Sequence, residues 1–141
     1  MSTRAFEGRC HCGAIGFTYR TAVPPEEWAV RECQCSFCRG HGARTTAGPD
    51  ASVRFHIAEP AKLTRYRFGT RTADFLLCAG CGVYLGAVIT PGDRQFATLN
   101  INAIREKLDV PGPQAVSYDA ESAGDRIARR EERWTPVEGR L

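Results

Sequence analysis

The stretch Ala73-Asp74-Phe75-Leu76-Leu77-Cys78-Ala79-Gly80-Cys81-Gly82-Val83-Tyr84-Leu85-Gly86-Ala87-Val88-Ile89 holds two apolar runs, residues 73–78 and 83–89, on either side of a Cys-x-x-Cys-Gly pentapeptide. A redox Cys-x-x-Cys of the thioredoxin kind leads from a strand into a helix. Here Gly82 closes the pentapeptide and a second strand-like run follows, so the segment reads as a tight turn between strands. Such a turn is a knuckle that aims two sulfurs at one point. Working outward, strands are also expected over residues 14–20, 29–33, 53–57, 63–68 and 95–101. Several alternate in period two: Val53, Phe55 and Ile57 share one face, Arg54 and His56 the other. Pro24-Pro25, Gly48-Pro49-Asp50, Pro91-Gly92-Asp93 and Pro111-Gly112-Pro113 punctuate the runs. The expected architecture is mainly β with little helix, a sandwich or rolled sheet. The best helix candidate is 125–133, with its charges read as a solvated face and Trp134 packing on the body. Residues 1–141 are taken as one domain, the tail beyond Pro111 being too short for a second.

The chain's 141 residues can bury a core without help from a metal. An apolar content of 43% and a charged content of 25% are those of an ordinary globular domain. A net charge of +3 with no Lys/Arg-rich run does not fit a nucleic-acid-binding composition. No apolar stretch is long enough to span a membrane, and the first residues lack the apolar centre of a signal peptide. A cytoplasmic location is the resulting expectation, and there clustered cysteines are more often metal ligands than disulfides.

The seven cysteines fall into three clusters: Cys10-His11-Cys12-Gly13, Cys33-Gln34-Cys35-Ser36-Phe37-Cys38-Arg39, and Cys78 to Gly82. Buried cysteines acting as small hydrophobes would be scattered instead. Seven divides into four and three, a closed tetrahedral zinc site and an open one with a position left for water or substrate. Spacing alone does not say which four belong together. The first and third clusters are both pairs ending in glycine, while the middle one brings three sulfurs of its own.

At these residues the sequence resembles the glutathione-dependent formaldehyde-activating enzymes and the related centromere protein V-like domains. Cys10-His11-Cys12-Gly13-Ala14, Cys33-Gln34-Cys35-Ser36-Phe37-Cys38-Arg39 with Gly40 and Gly42, and Cys78 to Gly82 match the family pattern over roughly residues 8–100. The resemblance implies a β-tent fold of antiparallel sheets around a structural zinc held by Cys10, Cys12, Cys78 and Cys81. It implies a second zinc on Cys33, Cys35 and Cys38, hence two per chain. It also implies a carbon–sulfur lyase that interconverts formaldehyde plus glutathione with S-hydroxymethylglutathione. Gln34 stands where the family usually has histidine.

On this reading Cys33, Cys35 and Cys38 form the reactive site, and Arg39 and Arg44, close by in sequence, are the expected contacts for the carboxylates of glutathione. Asn100 and Asn102 are read as alternating along one strand. His11, His41 and His56 are not needed as ligands. The alternatives are a thiol carrier without turnover, since a thiolate held by zinc is a weaker nucleophile than a free one, and a zinc-stabilised interaction module.

Overall fold

A computed structural model describes residues 2–141 of the chain. In chain order the elements are β1 (Arg4–Arg9), β2 (Ile15–Thr21), β3 (Arg31–Cys33), α1 (Ser36–His41), β4 (Thr45–Thr46), β5 (Ser52–Ile57), β6 (Leu63–Tyr66), β7 (Asp74–Cys78), β8 (Tyr84–Ile89), β9 (Phe96–Asn100), β10 (Gln114–Val116), α2 (Ala123–Arg133) and β11 (Thr135–Pro136). The chain is mainly β, as its pattern implies. One antiparallel sheet runs β1-β2-β5. The larger sheet runs β10-β3-β4-β9-β8-β7-β6, with β11 added to β9, and all its pairs are antiparallel except β10 with β3. None of the helices of the described residues is long and apolar enough to cross a membrane.

The core fills the space between the sheets. Phe6, Ile15, Phe17, Tyr19 and Val53 from the smaller sheet pack with Leu76, Leu85, Val88, Ala97 and Leu99 from the larger one. Trp28 closes this layer, meeting the Phe6 and Tyr19 rings edge-on at 4.8 and 5.4 Å. In β5, Val53 is buried and Phe55 and Ile57 half-buried, while Arg54 and His56 face solvent, as the alternation requires.

Every residue of β8 is buried, so both of its faces are covered. Leu85 and Val88 point into the core, whereas Tyr84 packs with Cys38 and Ala43, and Ala87 and Ile89 with Phe96 and Trp134. The second face of the large sheet is therefore roofed by α1 and by the end of α2. Gly86 lies where β8 and β9 approach most closely: a Cβ there would stand 2.5 Å from the Thr98 carbonyl oxygen and 3.3 Å from Leu99 Cα. Backbone of a paired strand cannot yield, so Gly86→Ala is expected to cost about 3 kcal/mol, read as a lowered midpoint in urea unfolding.

The segment after Pro111 is woven into the fold. β10 pairs with β3, β11 pairs with β9, and α2 is capped at its start by Ser122, whose hydroxyl oxygen accepts from the Asp125 amide at 3.1 Å. Two expectations need correction here. The charges of α2 do not all face solvent, because Arg130 is buried and Arg126 and Arg129 are less than a fifth exposed. Asn100 and Asn102 do not alternate along a strand, because β9 ends at Asn100 and Asn102 sits in a 3-10 turn. There the Asn100 amide donates to the Tyr84 carbonyl at 2.8 Å, and its side-chain oxygen accepts from the Asn102 N–H.

Candidate metal centres

Two cysteine groups converge. In each, the sulfurs lie within 4.8 Å of one another: Cys10, Cys12, Cys78 and Cys81 in one, Cys33, Cys35 and Cys38 in the other.

The four-cysteine group is built from two turns of the same design. In the β1–β2 turn the Cys10 amide donates to the Ile15 carbonyl (3.0 Å), the Gly13 amide donates to the Cys10 carbonyl (3.1 Å), and the Ile15 amide points at Cys10 Sγ (3.4 Å). In the β7–β8 turn the Cys78 amide donates to Val83 (3.1 Å), the Gly82 amide to Cys78 (2.8 Å), and the Cys81 amide points at Cys78 Sγ (3.4 Å). Gly13 and Gly82 both turn at φ of 83°, a conformation that side chains with a Cβ rarely adopt. One turn belongs to the small sheet and the other to the large one, so the cluster staples the two sheets together. Cys12 Sγ lies 3.5 Å from Cys78 Sγ and 3.8 Å from Cys10 Sγ. Burial pushes the Cys81 thiol up, but backbone N–H groups at Cys12 and Val83 and its sulfur neighbours outweigh it and bring it down to about 6. Arg105 donates to the Cys10 carbonyl at 2.9 Å, a cation beside a sulfur-rich turn.

The three-cysteine group comes from one continuous segment. Cys33 ends β3, Cys35 is the N-cap of α1, and Cys38 lies inside that helix. The Cys38 amide donates to Cys35 Sγ at 3.4 Å, so a ligand sulfur also caps the helix. Gln34, in the place of the family's usual histidine, donates from its side-chain amide to the Glu32 carbonyl at 2.8 Å and from its backbone to Val116. It therefore braces the loop. Within the group the three thiols hydrogen-bond one another. A hydrogen bond from Cys38, with help from the Cys35 amide and the charge of Arg130, holds Cys33 down at about 5 against its burial. The same bond, with burial and the neighbouring sulfurs, drives Cys38 far above the ordinary thiol range. A soft dication in place of those protons meets a donor set that suits zinc, closed in the first group and short of one ligand in the second.

That second group opens onto a cleft with a cavity volume of about 110 Å³. Phe68, Phe75 and Tyr84 form one wall, part of an aromatic cluster centred on Phe37, whose ring lies 4.9 to 5.9 Å from those of Tyr66, Phe68, Phe75 and Tyr84. Burial, and then the charge of Cys38, raises the Tyr84 phenol well above its usual value. Another part of the lining is a basic wall: Arg126, Arg129, Arg130 and Arg133 of α2, with Arg31. Sequence reasoning passed over this wall, although the signal is there. Positions 126, 129, 130 and 133 repeat at i, i+3, i+4 and i+7, one face of a helix.

Neither Arg39 nor Arg44 lines this cleft. Arg39 is exposed and borders a smaller hollow formed with Glu32, Cys33, Gln34 and Cys38. Arg44 donates to the Asn102 side-chain oxygen at 2.9 Å. The histidines are dispersed: His41 lies tilted against the Phe37 ring at 4.6 Å, His56 hydrogen-bonds Thr18 at 2.7 Å, and His11 is exposed.

The profile of the glutathione-dependent formaldehyde-activating enzyme family matches residues 5–121, extending the resemblance through β10 but ending before α2. A Rhodobacter sphaeroides protein of known crystal structure is 28% identical, with a TM-score of 0.56 over 78% of this chain and 99% of that one. No curated protein matches the chain.

Proposed function

The chain belongs to the glutathione-dependent formaldehyde-activating enzyme family, and on that premise we propose that it is a carbon–sulfur lyase that holds glutathione, or a similar small thiol, at Cys33, Cys35 and Cys38. In this reading zinc occupies both clusters, two ions per chain. The observation that supports it is the contrast between the sulfur groups: four converge, enough for a closed tetrahedral site, while three converge in the lining of a cleft.

Zinc at the three-sulfur group supplies a soft cation that favours the thiolate form of an incoming thiol. The protein's own groups do the rest. Cys33, Cys35 and Cys38 fix the place of the thiol sulfur, because a strand end and a helix cap fix theirs. Phe68, Phe75 and Tyr84 keep one side of that position apolar and limit water there. Arg39, exposed beside the smaller hollow, is retained as a contact for one glutathione carboxylate; Arg44 would first have to leave Asn102.

The reaction adds the thiol across the aldehyde. A sulfur lone pair forms the new C–S bond, the carbonyl π pair moves to oxygen, and the proton lost by the thiol ends on that oxygen. The lyase direction reverses each of these. Holding thiol and aldehyde side by side supplies proximity, which needs no further catalytic group.

Turnover is tested by exchange NMR on a mixture of glutathione and formaldehyde. Added protein is expected to accelerate interconversion with S-hydroxymethylglutathione over the buffer rate. An unchanged rate with glutathione still bound would make the protein a thiol carrier.

A further inference from the structure

Among the described residues, the buried side-chain nitrogens or oxygens without a hydrogen-bond partner are Arg126 Nε and Arg130 Nε. Both arginines line the cleft beside the three-cysteine group. Buried donors normally find partners, and an orphaned one costs about 1–3 kcal/mol. Both of these nitrogens belong to guanidinium groups that line one cavity, where an added acceptor would relieve the shortage of partners.

The local charge balance points the same way. The acidic side chain paired with this helix face is Glu121, which is committed to Arg129, whose Nε donates to it at 3.0 Å; Asp119 also lines the cleft but, among the described residues, forms no ion pair with these arginines. Arg129 also stacks on Tyr118 at 3.6 Å. Arg126 donates to the Tyr118 carbonyl at 2.7 Å, and its Nε stands 3.5 Å from Glu121 without hydrogen-bond geometry. Arg130 has no carboxylate partner. It is 8% exposed, rests on Trp134 at 4.7 Å, and makes one hydrogen bond, from its Nη1 to Thr72 at 3.0 Å. Like charges at i, i+3 and i+4 on a helix repel one another. The sulfur group on which the Arg130 charge acts offsets part of the cost of a buried guanidinium in that row, and an anion accepting from its fork would offset more. Burial and then the neighbouring Arg129 and Arg126 bring Arg130 down to about 10, so it still carries its charge at neutral pH.

We propose that Arg130, assisted by Arg126, is an anion subsite that takes a carboxylate of the ligand whose sulfur is held at Cys33, Cys35 and Cys38. The fork of a guanidinium suits a carboxylate, which accepts two parallel N–H bonds. Arg130 and the three cysteines line the same cleft, so the ligand class that reaches both is a compact acidic thiol or the acidic end of a larger one. The subsite lies on α2, beyond residue 121 where the family match ends. The inference rests on the thiol-binding reading above for the sulfur end of the ligand only.

Four small ligands separate the two ends: 3-mercaptopropionate, 3-mercaptopropionamide, and the S-methyl derivative of each, titrated calorimetrically into the zinc-loaded protein. The carboxylate forms are expected to bind tighter than the amides by roughly tenfold to a hundredfold, the range for hydrogen bonds to a charged group. R130Q is expected to abolish that preference, with the affinities for 3-mercaptopropionate and 3-mercaptopropionamide becoming equal; both fall a little, because the charge of Arg130 also acts on the sulfur group. R130K, which keeps the charge but not the fork, should restore part of it. Absence of a carboxylate preference in the unaltered protein overturns the subsite without any variant, so a poorly folding R130Q does not protect the idea. A preference that persists in a folded R130Q overturns it as well. Should S-methylation change nothing while R130Q still erases the carboxylate preference, the subsite stands and the thiol reading falls. The converse result leaves the thiol reading intact and removes the subsite.

Discussion

Replacing Cys78 with serine is expected to unfold the domain at ambient temperature, and replacing Cys10 is expected to do the same. Both residues are buried within the main apolar core, and their turns belong to different sheets. A metal shared by the four sulfurs therefore ties β1 and β2 to β7 and β8 at one end of the fold. Structural zinc contributes roughly 10–16 kcal/mol to the folding of zinc-finger peptides, whereas a whole domain is stable by only about 5–15 kcal/mol. The size of the effect distinguishes a ligand from an inert buried thiol, since setting a lone hydroxyl into apolar surroundings costs about 1–3 kcal/mol and leaves most domains folded. Thermal melts followed by circular dichroism, paired with elemental analysis, read the result. A C78S protein that melts cooperatively within a few degrees of the parent and holds the same zinc would remove the structural role. Acid should reproduce the loss in the unaltered protein, because protons compete for the thiolates that the metal needs.

How much of this was legible in the sequence follows from where each signal resides. Strand β5 declares itself through Val53, Arg54, Phe55, His56 and Ile57, because one face meets the core and the other meets water. Strand β1 does not: Arg4, Glu7 and Arg9 surround a single large apolar residue, Phe6, and the strand forms by pairing residue for residue with β2. Strands β4 and β11 are two residues long and exist only by pairing, β4 with β3 and β9 and β11 with β9, so nothing local encodes them. Helix α1 is held by the Cys35 sulfur at its start and by Gly42 in a left-handed turn at its end, with Gly40 in its interior, where apolar periodicity has too few positions to register. The metal groups were legible because their ligands are close in sequence, and the pairing of the first cluster with the third follows the shared knuckle design. The cleft's basic wall was not. An arginine-rich helix reads by default as a solvated face, and only the pairing of β10 and β11 with the large sheet turns Arg126, Arg129 and Arg130 inward.

The second large effect concerns the open sulfur group. Replacing Cys35 or Cys38 with serine is expected to leave a folded protein with about half the zinc and no measurable binding of glutathione through its sulfur. Each residue supplies one of three donors to a site already short of a fourth, so its loss leaves two. The fold survives because β3, α1 and β4 are also held by pairing with β10 and β9 and by Cys38's neighbours Ala43 and Tyr84. Cobalt in place of zinc makes the coordination visible, because sulfur-to-metal absorption reports ligand number and geometry. Glutathione titrated into the cobalt protein should raise that absorption and S-methylglutathione should not, since only a free thiol can complete the tetrahedron. In C38S the rise should vanish while the bands of the four-sulfur site persist. A fourth thiolate adds negative charge beside three others, which in a partly buried site is a real cost. The basic wall of α2 opposes that cost, so the affinity should fall as salt screens the arginines that solvent reaches. Equal spectral responses to glutathione and its S-methyl derivative would show that the sulfur never reaches the metal, and the three cysteines would then be a second structural clamp.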